Sequence, residues 1–150
     1  MSNESVVRVP ADQIPIRRQP SANIAVVGNP NSGKSTLFNR LTGLRQRTGN
    51  YPGVTVEKHV GVLRVGDESF ELIDLPGMFA LSAHSLEERI ATDVILGRIE
   101  EVGRPAGILA VLDSTHLYQG LYLVQQLMSL QLPIAVALTM TDAAVADGIR

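Results

Sequence analysis

Cysteine is absent from the chain, which excludes a disulfide framework and any thiolate-held metal. A strong charge of either sign is also missing: 13 basic and 15 acidic side chains leave a net charge of −2. That balance provides no electrostatic footprint for nucleic acid or for an anionic membrane surface. No apolar run reaches the ~18 residues that a membrane span requires, and the N-terminus has no signal-peptide core. The expectation is a soluble cytosolic unit without a nucleic-acid partner. What the chain does have is apolar content: 45% of its 150 residues are hydrophobic, enough for one good core.

The most informative stretch is Gly28-Asn29-Pro30-Asn31-Ser32-Gly33-Lys34-Ser35, a full G-x-x-x-x-G-K-[ST] phosphate loop. It follows the apolar run Ile24-Ala25-Val26-Val27 and precedes Thr36-Leu37-Phe38-Asn39-Arg40-Leu41, a helix-like segment. This strand–loop–helix setting gives the motif its meaning. Glycines let backbone N–H groups turn inward as an anion nest, and the helix N-terminus adds its positive dipole end. Lys34 reaches the outer phosphates, and the Ser35 hydroxyl suits Mg²⁺. The alternative is a glycine-rich turn that binds nothing. Eight matching positions in the right setting favour a nucleoside triphosphate.

Three further stretches bear on the nucleotide. Asp74-Leu75-Pro76-Gly77 ends the strand pattern Phe70–Ile73; Asp74 can hold the Mg²⁺ shell and the Gly77 N–H can meet the γ-phosphate. Gly53-Val54-Thr55-Val56 lies in a turn-rich segment, where Thr55 suits a switch loop that closes on Mg²⁺. Thr139-Met140-Thr141-Asp142 ends the apolar run Ile134–Leu138, where small GTPases carry an Asn-Lys-x-Asp base-reading motif. Thr139 replaces the asparagine, while Asp142 keeps the carboxylate that accepts from the guanine N1–H and N2–H₂. The alternative for Asp142 is a cap on the following segment.

Hydrophobic periodicity places these motifs on a fold. Met1–Ser21 has no sustained period and reads as a flexible leader. The expected elements are a strand over 23–28, a helix over 35–44, a mobile segment over 45–55, and an antiparallel pair, 56–65 and 69–74, turning at Gly66-Asp67. Ser85-Leu86-Glu87-Glu88 is a capping box opening a helix to about Leu96, with Gly97 as its stop. A buried strand over 107–112 leads, through Asp113-Ser114-Thr115 as a turn and cap, to a helix with Leu117, Leu121, Val124 and Met128 at helical spacing. The last strand is expected over 133–138. Apolar strands alternating with helices predict an α/β fold, a mostly parallel sheet with helices on both faces and the ligand at the strands' C-terminal ends. A Ras-like P-loop GTPase fold normally adds a last strand and helix. The expectation is that residues 22–150 lack these, leaving 133–138 as an exposed edge.

Asn50-Tyr51-Pro52-Gly53-Val54-Thr55-Val56-Glu57-Lys58, with the phosphate loop and Asp74–Gly77, resembles the cytoplasmic G domain of ferrous-iron transporter B proteins. The likeness extends through Val111-Leu112-Asp113-Ser114-Thr115, Leu121-Tyr122-Leu123 and Leu132-Pro133-Ile134. It implies GTP/GDP and Mg²⁺ as ligands, slow GTP hydrolysis, and a membrane permease domain in the same protein. It also implies a place at the cytoplasmic face of the cell membrane and an oligomer of the full-length protein. Iron passage would belong to the membrane part. His59, His84 and His116 show no ligand spacing and read as surface or cap residues; Met128 and Met140 read as core filler.

For catalysis, Met78 stands where many small GTPases place a water-orienting glutamine, and a thioether cannot orient water. Turnover would then lean on Mg²⁺, Lys34, Thr55 and the Gly77 amide. Asn31 matches the asparagine with which potassium-activated GTPases ligate K⁺; its alternative role is to stabilise its own loop, and the resemblance favours the cation. Two other functions fit the motifs: a potassium-dependent GTPase of tRNA modification or ribosome assembly, and a nucleotide-sensing module without useful turnover.

Overall fold

A computed structural model describes residues 20–148. The expected leader therefore lies almost wholly outside the described residues, although Ser21 already donates its N–H to the Ser69 carbonyl (2.8 Å). The elements are β1 (Ala22–Gly28), α1 (Lys34–Thr42), β2 (Gln46–Asn50), β3 (Glu57–Val65), β4 (Glu68–Asp74), α2 (Leu86–Ile95), β5 (Gly107–Asp113), α3 (Leu117–Met128), β6 (Ile134–Thr139) and α4 (Thr141–Ala146). A single 3-10 turn, Ser114–His116, joins β5 to α3.

The strands form one six-stranded sheet in the order β2-β3-β4-β1-β5-β6. Strands β4, β1, β5 and β6 are mutually parallel, while β2 and β3 are antiparallel additions. The central parallel strands β4, β1 and β5 are apolar on both sides because both are covered. Against one face lie Leu37, Phe38 and Leu41 of α1, meeting Val26, Leu72 and Val111. Against the other lie Ile90, Ala91, Val94 and Ile95 of α2 with Leu123 and Leu127 of α3, meeting Ala25, Val27, Ile73, Ile108, Ala110 and Leu112. Side chains of β1 therefore alternate between two cores, as the period of two demands. The chain goes from β1 to β4 on one side and to β5 on the other, so the sheet reverses direction at β1. A crevice opens at such a point, beyond the strands' C-terminal ends.

Local chemistry sets the element ends. Ser85 caps α2, its hydroxyl accepting from the Glu88 N–H (3.1 Å). The return bond of the box comes one residue early, from the His84 N–H to Glu88 Oε2 (3.2 Å). Gly66, with φ 60°, turns the β3–β4 hairpin. The helix α1 stops at Thr42 rather than Leu44, because Gly43 takes positive φ and returns its N–H to the Asn39 carbonyl (2.8 Å).

Three expectations need correction. The segment over 45–55, where no strand is expected from sequence, contains strand β2, fully paired with β3 from Gln46↔Gly61 to Asn50↔Glu57; its Gln-Arg-Thr-Gly-Asn sequence has no apolar face because both faces are exposed. The buried stripe of α3 runs through Gly120, Leu123 and Leu127, whereas Leu121 points outward. Met128 is 66% exposed and Met140 42%, so neither fills the core. Strand β6 is, as expected, a half-exposed edge among the described residues, with Val136 and Leu138 open to solvent. No helix among the described residues is long and apolar enough to cross a membrane.

Candidate functional site

The C-terminal ends of β1, β4, β5 and β6 converge on one rim of the sheet, and the phosphate loop occupies its centre. Asn31 (φ 63°) and Gly33 (φ 81°) both hold left-handed backbone, which Asn tolerates better than most residues. Gly28 admits no side chain: a Cβ there would lie 2.7 Å from both Ser32 Oγ and the Val111 carbonyl. The loop leads straight into α1, whose N-terminus has no side-chain cap. The orphan N–H groups of its first turn thus face the rim without competition from a capping side chain.

The Asp74–Gly77 stretch is clamped to this loop. Leu75 donates to the Val26 carbonyl (3.1 Å) and Met78 to the Gly28 carbonyl (3.0 Å). Gly77 is needed for that approach, since a Cβ would sit 3.0 Å from the Pro30 backbone. Across the junction, Lys34 Nζ and Asp74 Oδ1 form a buried ion pair. A cleft of about 480 Å³ opens beside the pair, lined by Lys34, Ser35, Thr55, Val56, Asp74, Leu75 and Pro76 among others, a volume in the range of small-molecule sites. The structure therefore brings together Lys34, Ser35, Thr55 and Asp74, the residues expected from sequence to meet phosphate and Mg²⁺.

Thr55 sits in a tight turn between β2 and β3. The turn is closed by bonds from the Tyr51 N–H to the Val56 carbonyl (3.0 Å) and from the Val54 N–H to the Tyr51 carbonyl (3.3 Å). Tyr51 is only 1% exposed and anchors the turn in the core. Its buried hydroxyl has no hydrogen-bond partner among the described residues. Burial first, and the charge of Asp74 second, push the phenol above its ordinary pKa of 10.0. The folded chain keeps this proton where an unfolded chain releases it, so stability is intact below about pH 10 and falls as pH rises further. We expect Tyr51→Phe to remove that part of the alkaline decline. At about pH 7 the variant should equal or exceed the parent by roughly 1 kcal/mol, because an unpaired buried hydroxyl is gone. Urea unfolding at about pH 7 and about pH 11 measures both effects; a loss at neutral pH would mean the hydroxyl has a partner.

Four cleft residues, Glu57, His59, Leu86 and Glu87, were not anticipated as site residues. His59 Nε2 lies 3.1 Å from Glu57 Oε2. For His59 the signal was present: with the hairpin turning at Gly66-Asp67, pairing back along β3 and β4 puts His59 opposite Asp74. His84 and His116 lie elsewhere, the former donating its N–H to Glu88 and the latter against Asp113. Asp113 caps the 3-10 turn by accepting from the Thr115 N–H (2.8 Å), and the Thr115 hydroxyl and His116 hold its pKa below the ordinary carboxylate value.

Met78 departs from its expected surroundings. Its side chain is fully buried in the same cluster as Tyr51, Leu75 and Ile90, so it occupies core rather than cleft. At the far end of the rim, Met140 takes left-handed backbone (φ 55°) and opens α4. Thr141 and Asp142 fall in the first turn of that helix, both exposed. Thr139 turns back toward the phosphate loop, its hydroxyl 2.5 Å from the Ser32 carbonyl.

A parallel sheet reversing at β1, with a phosphate loop at the reversal and a clamped Asp-x-x-Gly beside it, defines a domain of the Ras-like P-loop GTPase fold. Residues 22–150 match the family model for ferrous iron transport protein B, and the chain belongs to that family. It is 47% identical over 119 residues to the Fe(2+) transporter FeoB of Leptospira interrogans, covering 79% of this chain and 16% of that protein. Against the FeoB of Escherichia coli (strain K12) it is 45% identical over 131 residues, covering 85% of this chain and 16% of the relative. The cytosolic domain of L. pneumophila FeoB superposes with a TM-score of 0.79 at 43% identity, covering 85% of this chain and 49% of that one. The cytosolic domain of the T. maritima FeoB iron transporter in a GDP form gives 0.76 at 38% identity, covering 85% and 48%. Family membership sets aside the RNA-linked GTPase considered from sequence.

Proposed function

We propose that this chain binds GTP and GDP with Mg²⁺ and hydrolyses GTP slowly, as the switch domain of a ferrous-iron membrane transporter. The observation that carries the reading is the convergence of Lys34, Ser35, Thr55 and Asp74 on one cleft beside an uncapped helix N-terminus. The donor set fits the metal: two hydroxyls and a carboxylate are the hard oxygen ligands that Mg²⁺ takes. The buried Asn29 Oδ1 and Ser32 Oγ, both without hydrogen-bond partners among the described residues, fit a loop built to meet a polar ligand. When bound, the metal supplies neutralising charge at the outer phosphates.

The chain's own residues do the rest. Lys34 turns from Asp74 to the phosphate oxygens, and the loop amides of residues 28–35 orient the chain of phosphates. The Gly77 N–H and Thr55 respond to the γ-phosphate, which makes their segments the switch. Asp142 selects guanine. Asn31 would hold a monovalent cation, which would supply positive charge beside the phosphates where other GTPases use an arginine. In the full-length protein the nucleotide state is passed to a permease domain at the cytoplasmic face of the membrane.

Single-turnover phosphate release from GTP, compared in potassium and in sodium, tests the reading. The expected result is slow release, faster in potassium, with the stimulation lost in Asn31→Ala. Equal rates in both salts would remove the cation. Binding without any release would leave a nucleotide-sensing module. A potassium response retained in Asn31→Ala would place the cation on other residues.

A further inference from the structure

Thr139 is where this chain departs from the base-reading motif, and its side chain is committed elsewhere. It closes β6 opposite Asp113 of β5. Its Oγ1 lies 2.5 Å from the Ser32 carbonyl oxygen and 3.1 Å from that of Leu112. A hydroxyl has one proton to give, so the shorter contact takes it and the longer one is secondary. The methyl group faces the same loop: a Cβ built on Gly33 would be 3.4 Å from Thr139 Cγ2. Ser32 stands between the two left-handed residues Asn31 and Gly33. The tie therefore grips the part of the loop whose backbone is least like ordinary helix or strand.

We propose that Thr139 is a positioning residue for the phosphate loop, and that base discrimination in this motif falls to Asp142. This deepens the nucleotide-site reading of Gly28–Ser35 and rests on it. A strand end is rigid, so a bond from β6 holds the Ser32 peptide in place and keeps the neighbouring N–H groups aimed at phosphate. The loop thus has a tie at the position where the base-reading motif carries asparagine, and the effect of that tie is the same for every base that shares the phosphates.

The test measures the Kd of GDP and of ADP, whose base differs from guanine along its whole hydrogen-bonding edge while the phosphates are the same, for the wild type, Thr139→Val and Thr139→Ser. Thr139→Val keeps the shape and removes the hydroxyl. It should weaken both nucleotides by the same factor, roughly three- to tenfold for one neutral hydrogen bond, mostly through faster release. The ratio of the two Kd values should stay unchanged, and Thr139→Ser should bind like the wild type. A changed ratio in Thr139→Val would show that Thr139 reads the base, and unchanged affinity for both nucleotides would show that the tie does not position the loop; either overturns the proposal. If Thr139→Val does not fold, Thr139→Ala takes its place in the comparison with Thr139→Ser, with the same expectation. A wild type that binds neither nucleotide would overturn the nucleotide-site reading itself, an outcome distinct from a wild type that binds and variants that do not differ.

Discussion

Replacing Lys34 with alanine is expected to abolish nucleotide binding and to lower the stability of the ligand-free domain by about 3–5 kcal/mol. Both effects have one origin. Lys34 and Asp74 are each only 9% exposed and pair with one another. Removing the ammonium leaves a carboxylate held away from water without its cation, which is the costly way to break a buried pair. The same ammonium is the only cationic side chain of the phosphate loop, and it serves ground state and transition state alike. A domain of ordinary stability has about 5–15 kcal/mol in total, so urea unfolding will show the loss readily. The double variant Lys34→Ala, Asp74→Asn separates the two roles. It should recover much of the stability, because no charge is stranded, and none of the binding. A single variant as stable as the parent would mean that water reaches Asp74 freely.

Met78→Ala is expected to destabilise the domain by about 2–5 kcal/mol, the range for emptying a packed core position. Hydrolysis per folded molecule should change less than about threefold, since no transition-state hydrogen bond is lost. Met78 has no exposed surface and belongs to the same buried cluster as Tyr51, Leu75 and Ile90. Its link to the phosphate loop is its backbone N–H on the Gly28 carbonyl (3.0 Å), which alanine retains. Met78→Gln, which installs the group that orients water elsewhere, should not raise turnover; it buries an amide that finds no partner and costs stability instead. Calorimetric unfolding together with single-turnover rates separates the two effects. A large fall in rate at unchanged stability would put Met78 back in the cleft.

The parts of this molecule that were legible in the sequence are those governed by local chemistry. The phosphate loop, the Ser85 cap and the Gly66 turn each need particular residue types at fixed spacing, and all three stand where the spacing puts them. The central strands were legible because burial on both faces makes them continuously apolar. Strand β2 was not, because an exposed edge strand buries nothing and so carries no pattern; only its pairing with β3 reveals it. The outward turn of Leu121 and Met128 was hidden for a related reason. The α3 sequence Leu-Tyr-Gln-Gly-Leu-Tyr-Leu-Val-Gln-Gln-Leu-Met is apolar on more than one face. The choice of buried face falls to Gly120, which lets α3 approach β5 so closely that a Cβ there would be 2.5 Å from Leu112 Cγ. In the site, the charged and hydroxyl groups were legible by type. The depth of Met78, the Tyr51 anchor and the Thr139 tie depend on which elements meet in space, and no single motif records that.

The most direct measurement is a calorimetric titration of the domain with GTP and with ATP, each with Mg²⁺, under identical salt. Asp142 can accept from the paired N1–H and N2–H₂ donors of guanine, which adenine does not present together, and Lys34 with the loop amides serves both nucleotides equally. GTP should therefore bind measurably and more tightly than ATP, with the preference lost in Asp142→Ala. Equal affinity for the two nucleotides, or binding of neither, would contradict the assignment of this cleft to a guanine nucleotide.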